Sequence, residues 1–176
     1  MSGISEVIAM INTMEADGVI SRYAIGGAVG ATFYLEPVAT LDVDIFVVFR
    51  LEESGKLISL KPVYDYLTAR GCVIEGEYIV MDGWPVQFLP PTSALVEEAM
   101  TEAISVDVDK KPARVFTAEH LAAIALQTYR PKDKARLLQF VESGALDTER
   151  FRSILEGHGL SERWREFERI FLLDKE

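Results

Sequence analysis

The sequence predicts an α+β fold, in which a mixed β-sheet with packing helices is followed by a C-terminal helical segment. Residues 23–49 have the pattern of a strand, a glycine turn, a helix and a second strand, and residues 73–89 form short apolar runs separated by turns. In the last third of the chain, apolar residues recur at helical spacing. We therefore expect an α/β domain over residues 1–116 and a helical region over residues 117–176 packed on it.

Composition narrows the class of protein. The chain has 176 residues, of which 49% are hydrophobic, so it can bury a sizeable core. Its net charge of −10 argues against a broad nucleic-acid surface, because such surfaces need clustered Lys and Arg. No apolar run approaches the ~18–20 residues of a membrane span, and the N-terminus lacks the basic start of a secretory signal. We therefore expect a cytoplasmic protein.

Cysteine and histidine are scarce. Cys72 is the only cysteine, so neither a disulfide within the chain nor a cysteine-rich zinc site is expected. His120 and His158 are the only histidines. We place the first on the surface or in the core of a helix and the second in a turn between helices. The sequence does not predict a histidine-based metal site.

The first predicted element is a packing helix over residues 4–14. Its apolar side chains recur three and four positions apart, and Gly18 is a suitable stop after it. The stripe consists of Ile4, Val7, Ile8, Ile11 and Met14. We assign no chemistry to this helix.

Gly26 and Gly27 mark a sharp turn after a predicted strand over residues 23–25. Because glycine has no Cβ, a ligand can approach the backbone there. A helix is predicted to begin at this turn and to end at Glu36, since Pro37 disfavours the α region for the residue before it. The free N–H groups at the start of such a helix are a suitable seat for a phosphate.

Asp42 and Asp44 open the next predicted strand. Residues two apart on a strand point to the same face, with Cα atoms roughly 6–7 Å apart, so the two carboxylates can share a divalent ion. The apolar run over residues 45–49 is typical of a central strand covered on both faces. An Asp-x-Asp pair alone is usually a turn or surface feature. The glycine turn upstream favours the metal-binding interpretation, because it places an anion site beside the pair.

The ordered set of Gly26, Gly27, Asp42 and Asp44 resembles the nucleotidyltransferase superfamily with the DNA polymerase β palm fold, especially the small bacterial AbiEii-type and minimal nucleotidyltransferases. The resemblance covers roughly the first two thirds of the chain. It implies a sheet of the nucleotidyltransferase palm type. It also implies that the glycines bind the triphosphate of an NTP and that the aspartates are catalytic ligands of Mg²⁺.

A helix over residues 59–70 and a three-stranded β-meander are predicted to follow. The meander strands cover residues 73–75, 78–81 and 84–89. A helix over residues 93–103 and an edge strand over residues 104–108 come next. The remainder of the chain is predicted to be helical.

Gln87 is the main departure from the family pattern. In palm-type nucleotidyltransferases the strand that corresponds to residues 84–89 brings a third acidic residue beside the first two, and Gln87 is the best match for that place. Glutamine binds Mg²⁺ more weakly than a carboxylate does and cannot act as a base, which puts catalysis in doubt. Asp82, Asp107 or Asp109 would substitute if the fold brought one of them close. An ordinary polar residue on an alternating strand explains Gln87 equally well.

A cationic cluster stands ahead of a predicted helix in the last third of the chain. It comprises Arg130, Lys132, Lys134 and Arg136. AbiEii-type relatives have a comparable Arg-x-Lys-Asp cluster facing the nucleotide, so the resemblance implies that these cations bind the triphosphate. The alternative is a solvated helix start whose individual charges contribute little.

Two functional hypotheses follow. The first is a Mg²⁺-dependent nucleotidyltransferase that transfers NMP from an NTP to a hydroxyl of a protein, an RNA or a small molecule. The second is a catalytically degenerate palm-fold protein that binds a nucleotide or a partner, as in a toxin–antitoxin pair. Gln87 favours the second hypothesis, as does Val38, where many relatives carry an arginine. A helix-bearing interaction domain without a ligand is a third alternative.

Overall fold

The computed structural model describes residues 3–36, 42–49 and 59–173. Over these residues the chain forms one mixed seven-stranded sheet with helices on both faces. The predicted helix stop at Pro37 and the departure at Val38 lie outside the described residues. The strands are β1 (Arg22–Gly26), β2 (Val43–Val48), β3 (Val73–Glu75), β4 (Tyr78–Met81), β5 (Trp84–Leu89), β6 (Ile104–Val108) and β7 (Lys111–Val115).

The strand order across the sheet is β3-β4-β5-β2-β1-β7-β6. The central strand, β2, pairs antiparallel with β1 and parallel with β5. The strands of the β-meander, β3 to β5, pair antiparallel with one another and form one edge of the sheet. The predicted α+β fold with a mixed sheet and packing helices is confirmed.

Helices cover both faces of the sheet. They are α1 (Ile4–Ala16), α2 (Gly27–Ala31), α3 (Lys61–Thr68), α4 (Ala94–Glu102), α5 (Ala118–Thr128), α6 (Pro131–Ser143), α7 (Thr148–Gly157) and α8 (Ser161–Phe167), and a π-helical segment (Glu168–Leu172) follows α8. One core lies between the sheet and α1 and α3, and a second lies under α4 to α8. No helix within residues 3–36, 42–49 and 59–173 is both long and apolar enough to span a membrane.

Side chains of β2 alternate between these two cores. Val43, Ile45 and Val47 are fully buried against α1 and α3. Phe46 packs against the core under α4 to α8, and Asp44 projects to the same face as Phe46 because side chains two apart on a strand share a face. The sequence of β2 therefore presents one carboxylate to the C-terminal helices.

The helix after Gly26 is shorter than predicted. We expected it to extend to Glu36, but α2 contains five residues and ends at Ala31. The chain continues as turns, in which the N–H groups of Tyr34 and Leu35 donate to the carbonyl of Ala31 at 3.0 and 2.9 Å. So short a helix has a small dipole, and the phosphate seat predicted from its N-terminus is correspondingly weak.

The sequence analysis missed β7. We expected the chain to leave the sheet after β6. Instead, Asp109 and Lys110 both adopt positive φ angles, 49° and 68°, and form a tight turn that returns the chain as β7. This strand runs parallel to β1, with Ile25 opposite Val115. The sequence signal for this turn was weak, because an Asp-Lys pair is less typical of a tight turn than an Asp-Gly pair.

Thr117 begins the helical region, and its side-chain oxygen accepts the N–H of His120 and caps α5. Phe116, just before it, is fully buried in the core under the C-terminal helices. The division of the chain into residues 1–116 and residues 117–176 stays a prediction.

Candidate active site

One end of β2 carries a row of residues from three neighbouring strands. Gly26 of β1 lies opposite Asp44 of β2, and Asp44 lies opposite Gln87 of β5. Asp42 immediately precedes β2 and stands two residues before Asp44. The fold therefore brings the predicted glycine turn, the two aspartates and the glutamine to one region of the sheet.

A side chain is excluded at Gly26 and at Gly27 by different neighbours. A Cβ at Gly26 would lie 2.7 Å from the ring of Phe46 and 3.1 Å from the ring of Phe116. Gly27 has a φ of 58°, and a Cβ there would overlap the carboxylate of Asp44. The glycine turn thus makes room for the Asp44 side chain beside the backbone.

One carboxylate oxygen of Asp44, Oδ1, is a buried polar atom without a hydrogen-bond partner among the described residues. Burial and the neighbouring Asp42 raise the pKa of Asp44 above its ordinary value, against the opposing effect of Lys132, Arg136 and Arg130. Leaving a buried polar atom unpaired costs about 1–3 kcal/mol, so such an atom indicates a missing partner.

A divalent cation fits this position. Asp42 and Asp44 provide carboxylate oxygens, which are the ligands that Mg²⁺ prefers. The unpartnered Oδ1 of Asp44 is available to an ion, and the missing Cβ of Gly27 leaves space beside the carboxylate. The two aspartates are the residues that would hold the ion.

The aspartates line a cleft whose other wall comes from α5 and α6. Arg130, Lys132 and Arg136 line this cleft together with Asp42 and Asp44. In a protein with a net charge of −10, these three side chains form a local basic surface. Guanidinium and ammonium groups of this kind suit the oxygens of a phosphate chain.

A buried aspartate, Asp133, orients two of these cations. It accepts hydrogen bonds from Thr128 Oγ1 at 2.8 Å and from Arg130 Nε at 2.7 Å, and its Oδ1 lies 3.7 Å from Arg136 Nη1. Burial alone would raise the pKa of Asp133, but the hydrogen bonds from Arg130 and Thr128 outweigh it and lower the pKa. Asp133 therefore holds Arg130 and Arg136 at the cleft.

Lys134, the fourth predicted cation, contacts a different neighbour. Its Nζ lies 4.3 Å from the centre of the Tyr129 ring, and Arg163 lies 5.3 Å from the same centre. Lys134 does not line the cleft. Three of the four predicted cations thus line the cleft, and nucleotide binding by this cluster stays a prediction.

Apolar side chains also line the cleft. The rings of Phe46 and Phe116 pack with their centroids 5.0 Å apart. Leu89, Leu121 and Ile124 extend this apolar lining. Apolar lining beside charged groups suits a ligand that has both a flat or apolar part and a phosphate part.

Gln87 is in the predicted register, but its amide contacts another residue. Its Nε2 donates to Oε2 of Glu77 at 3.5 Å, and Gln87 does not line the cleft. Tyr78, next to Glu77, lies near enough to Asp42 for that carboxylate to raise the pKa of Tyr78. The structure thus places Gln87 beside Asp44, and its catalytic role stays a prediction.

The three alternative aspartates do not line the cleft. Asp82 lies in the turn between β4 and β5, close to Gly3. Asp107 is on the edge strand β6, and Asp109 is in the turn that follows it, at the end of β7 remote from Val115. None of the three therefore supplies a third carboxylate to the cleft.

The sequence analysis missed Thr128, Asp133 and the aromatic pair of Phe46 and Phe116. One signal for Asp133 was available: an acidic residue three positions after a helix N-cap can accept the N–H of that N-cap residue, and in the structure Asp133 Oδ2 accepts the N–H of Arg130 at 3.1 Å. The phenylalanines gave no signal, because apolar residues of a strand indicate core in any fold.

A nucleotidyltransferase-like fold has three features that this structure shares. A glycine turn leads from a strand, an aspartate pair lies on the adjacent strand of a mixed sheet, and helices face that pair. Two solved structures show the likeness. The chain is similar to an antigenic nucleotidyltransferase-like protein from Paracoccidioides brasiliensis, with a TM-score of 0.58 and 10% identity over 88% of this chain and 86% of that one. It is also similar to ANT(2")-Ia in complex with adenylyl-2"-tobramycin, with a TM-score of 0.52 and 14% identity over 89% and 98%.

These likenesses establish the nucleotidyltransferase-like fold. No family model matches the sequence, and no curated protein matches it significantly.

Proposed function

We propose that the protein transfers a nucleoside monophosphate from an NTP to an acceptor hydroxyl, with Mg²⁺ as cofactor. The observation that carries the proposal is the buried, unpartnered Oδ1 of Asp44, in a cleft that also presents Asp42 and three cationic side chains. Acidic ligands for a metal and basic ligands for phosphates are the two requirements for binding a metal–triphosphate complex.

The cationic wall binds the phosphates in this proposal. Arg130, Lys132 and Arg136 contact the triphosphate, and Asp133 maintains the orientation of the two arginines. The apolar lining formed by Phe46 and its neighbours receives a base or the apolar part of the acceptor. Holding both reactants in one geometry is the main catalytic contribution of such a site.

Asp42 and Asp44 hold the cofactor. When bound there, Mg²⁺ supplies positive charge that offsets the charge of the phosphate oxygens. In the overall reaction, the acceptor oxygen bonds to the α-phosphorus, the bond to pyrophosphate breaks, and the hydroxyl proton passes to water.

A small molecule or a protein is the favoured acceptor. The net charge of −10 is unfavourable for a broad nucleic-acid surface, which makes RNA the weaker candidate. The similar structure with bound adenylyl-2"-tobramycin supports a small-molecule hydroxyl as the first class to test. The proposal also includes membership of the AbiEii-type group and a cytoplasmic location. It further includes a catalytic domain over residues 1–116, which residues 117–176 complete.

The proposal is tested by incubating the full chain with each α-labelled NTP, Mg²⁺ and either a cell lysate or a panel of hydroxyl-bearing small molecules. We expect label transfer with at least one nucleotide, and we expect EDTA to abolish it. NTP binding without transfer of any label would reject the enzymatic function.

A second candidate function is nucleotide binding without turnover, and the position of Gln87 favours it. Gln87 stands beside Asp44 where a third carboxylate is expected, and its amide is directed to Glu77. Calorimetry tests the nucleotide binding that both functions require. Asp44-dependent submicromolar affinity for Mg²⁺–ATP without label transfer would support nucleotide binding without turnover, whereas absence of Mg²⁺–ATP binding would reject both functions.

The variant Gln87→Asp is expected to be less stable than the parent in EDTA and to bind Mg²⁺ more tightly. The new carboxylate would stand beside Asp44 and near Glu77, and carboxylates this close raise one another's pKa until a cation binds. We expect roughly tenfold tighter Mg²⁺ binding, which corresponds to about 1.4 kcal/mol, and an increase in nucleotidyl transfer.

The matched control is Gln87→Asn, which has the same shortened side chain without the charge. It should reproduce neither the loss of stability in EDTA nor the tighter binding. Melting curves and calorimetric Mg²⁺ titrations of both variants provide the comparison. If the two variants behave alike, Gln87 has no role beside the metal ligands.

A further inference from the structure

A second cluster of metal-ligating side chains lies at the junction of α4, α5 and α7, outside the cleft. Glu98 and Glu102 stand one turn apart on α4, His120 is in the first turn of α5, and His158 ends α7. Glu98 Oε2 lies 2.9 Å from His120 Nε2 and 3.1 Å from His158 Nε2. Glu102 Oε2 lies 3.4 Å from His120 Nε2.

We propose that Glu98, Glu102 and His120 form a binding site for Zn²⁺, with its fourth position open to solvent. Tetrahedral Zn²⁺ with bonds of about 2.0–2.1 Å to nitrogen and oxygen holds its ligand atoms about 3.3 Å apart. The distances from His120 Nε2 to Glu98 Oε2 and to Glu102 Oε2, 2.9 and 3.4 Å, bracket this spacing. The ligand atoms of the two glutamates and His120 all lie within 4.8 Å of one another.

The His120 ring is fixed in the orientation that a metal ligand needs. Its side chain is 0% exposed, and its Nδ1 lies 2.7 Å from Oγ1 of Thr117, the residue that caps α5. In the metal-bound form, a proton on Nδ1 donated to this hydroxyl oxygen would leave the lone pair of Nε2 for the ion. A hydrogen bond to the second ring nitrogen is the usual support of a metal-bound histidine.

The two carboxylates are also suitably arranged. Glu102 directs Oε1 toward Nη2 of Arg150 at 3.5 Å, which leaves its Oε2 for the cluster. The side chains of Glu98 and Glu102 are 39% and 45% exposed, so an ion can enter from solvent. Two negative carboxylates and one neutral imidazole would neutralise the charge of Zn²⁺.

The chemistry of this cluster differs from that of Asp42 and Asp44. Mg²⁺ takes oxygen ligands almost exclusively, whereas imidazole nitrogens suit Zn²⁺ and other transition metals. A bound ion would join α4 and α5, and α5 carries Leu121 and Ile124 of the cleft. The site would therefore stabilise the helical wall of the cleft, and the inference stands independently of the proposed reaction.

The test uses the full chain after removal of metals with EDTA and dialysis. Calorimetry should show one Zn²⁺ bound per chain, and Co²⁺ as a spectroscopic substitute should give the visible absorption of a tetrahedral site. At free Zn²⁺ about 100-fold above the dissociation constant, the melting temperature should rise by about 5–10 °C.

Two ligand variants and two controls make the test specific. Glu98→Gln and Glu102→Gln should each weaken Zn²⁺ binding by about 100-fold or more, because even outer-shell changes cost about 10–100-fold. Glu97→Gln, which removes the same charge from an exposed neighbour on α4, should leave Zn²⁺ affinity unchanged, and so should Asp44→Asn in the separate cleft. Without a metal the contacts are only hydrogen bonds, so absence of stoichiometric Zn²⁺ binding, or parental affinity in both ligand variants, would overturn the proposal.

Discussion

Replacement of Asp44 by Asn is expected to abolish nucleotidyl transfer and, in the absence of Mg²⁺, to raise the melting temperature of the protein. The rate should fall by about 100-fold or more, the typical cost of removing one electrostatic group from a reacting centre. The fold should gain stability because Asn removes a buried charge that Asp42 repels and that lacks a hydrogen-bond donor among the described residues.

The effect on stability should depend on pH in a defined direction. Burial and Asp42 raise the pKa of Asp44 in the folded protein, so the folded chain holds this proton more tightly than the unfolded chain does. The stability that this proton contributes is fully present below the unfolded pKa, near ~3.9, and is lost as the pH rises through the raised folded pKa. In EDTA, the difference in stability between Asp44→Asn and the parent should therefore grow in favour of the variant as the pH rises from about 4 toward neutrality.

Melting curves with EDTA or Mg²⁺ at several pH values, together with the label-transfer assay, test this prediction. The control is Asp107→Asn, which makes the same charge change at an exposed position on the edge strand β6. It should leave transfer, Mg²⁺ response and pH dependence unchanged. An Asp44→Asn protein that keeps the parental Mg²⁺ response would remove Asp44 from the metal site.

Features encoded by short stretches of sequence were predictable. The apolar run of β2 indicated a central strand, and Asp82 and Gly83 formed the tight turn between β4 and β5 with φ angles of 48° and 83°. The order of Gly26, Gly27 and the two aspartates was enough to predict that they lie together. Each of these predictions rests on residues close in sequence or on strands that pair directly.

Features that depend on packing between distant segments were not predictable. The cations at α6 were recognised, but the buried Asp133 that orients them was not, because its burial follows from how α6 packs on the rest of the fold. Glu98 and the two histidines are separated by 22 and 60 residues, so no local pattern connects them. Such sites appear only when the crossing of helices is known.

Replacement of Gly27 by Ala is expected to reduce nucleotidyl transfer by about 100-fold or more, although the residue contributes no reactive group. The new Cβ would overlap the Asp44 carboxylate, which must then leave its present position. A displacement of about 1 Å at a reacting centre costs about 100-fold in rate. The positive φ of 58° adds about 1–2 kcal/mol of backbone strain, and overpacking adds about 1–3 kcal/mol.

The variant Gly83→Ala separates the effect of backbone strain from the effect of displacing the Asp44 carboxylate. Gly83 also has a positive φ, 83°, but a Cβ there would meet no atom within 4 Å. Gly83→Ala should therefore lose about 1–2 kcal/mol of unfolding free energy and keep both transfer and the Mg²⁺ response. Chemical denaturation and the label-transfer assay on both variants distinguish the effects. Because Asp44 is the group that a Cβ at Gly27 would displace, equal transfer by the two variants would show that the glycine turn does not position the catalytic carboxylate.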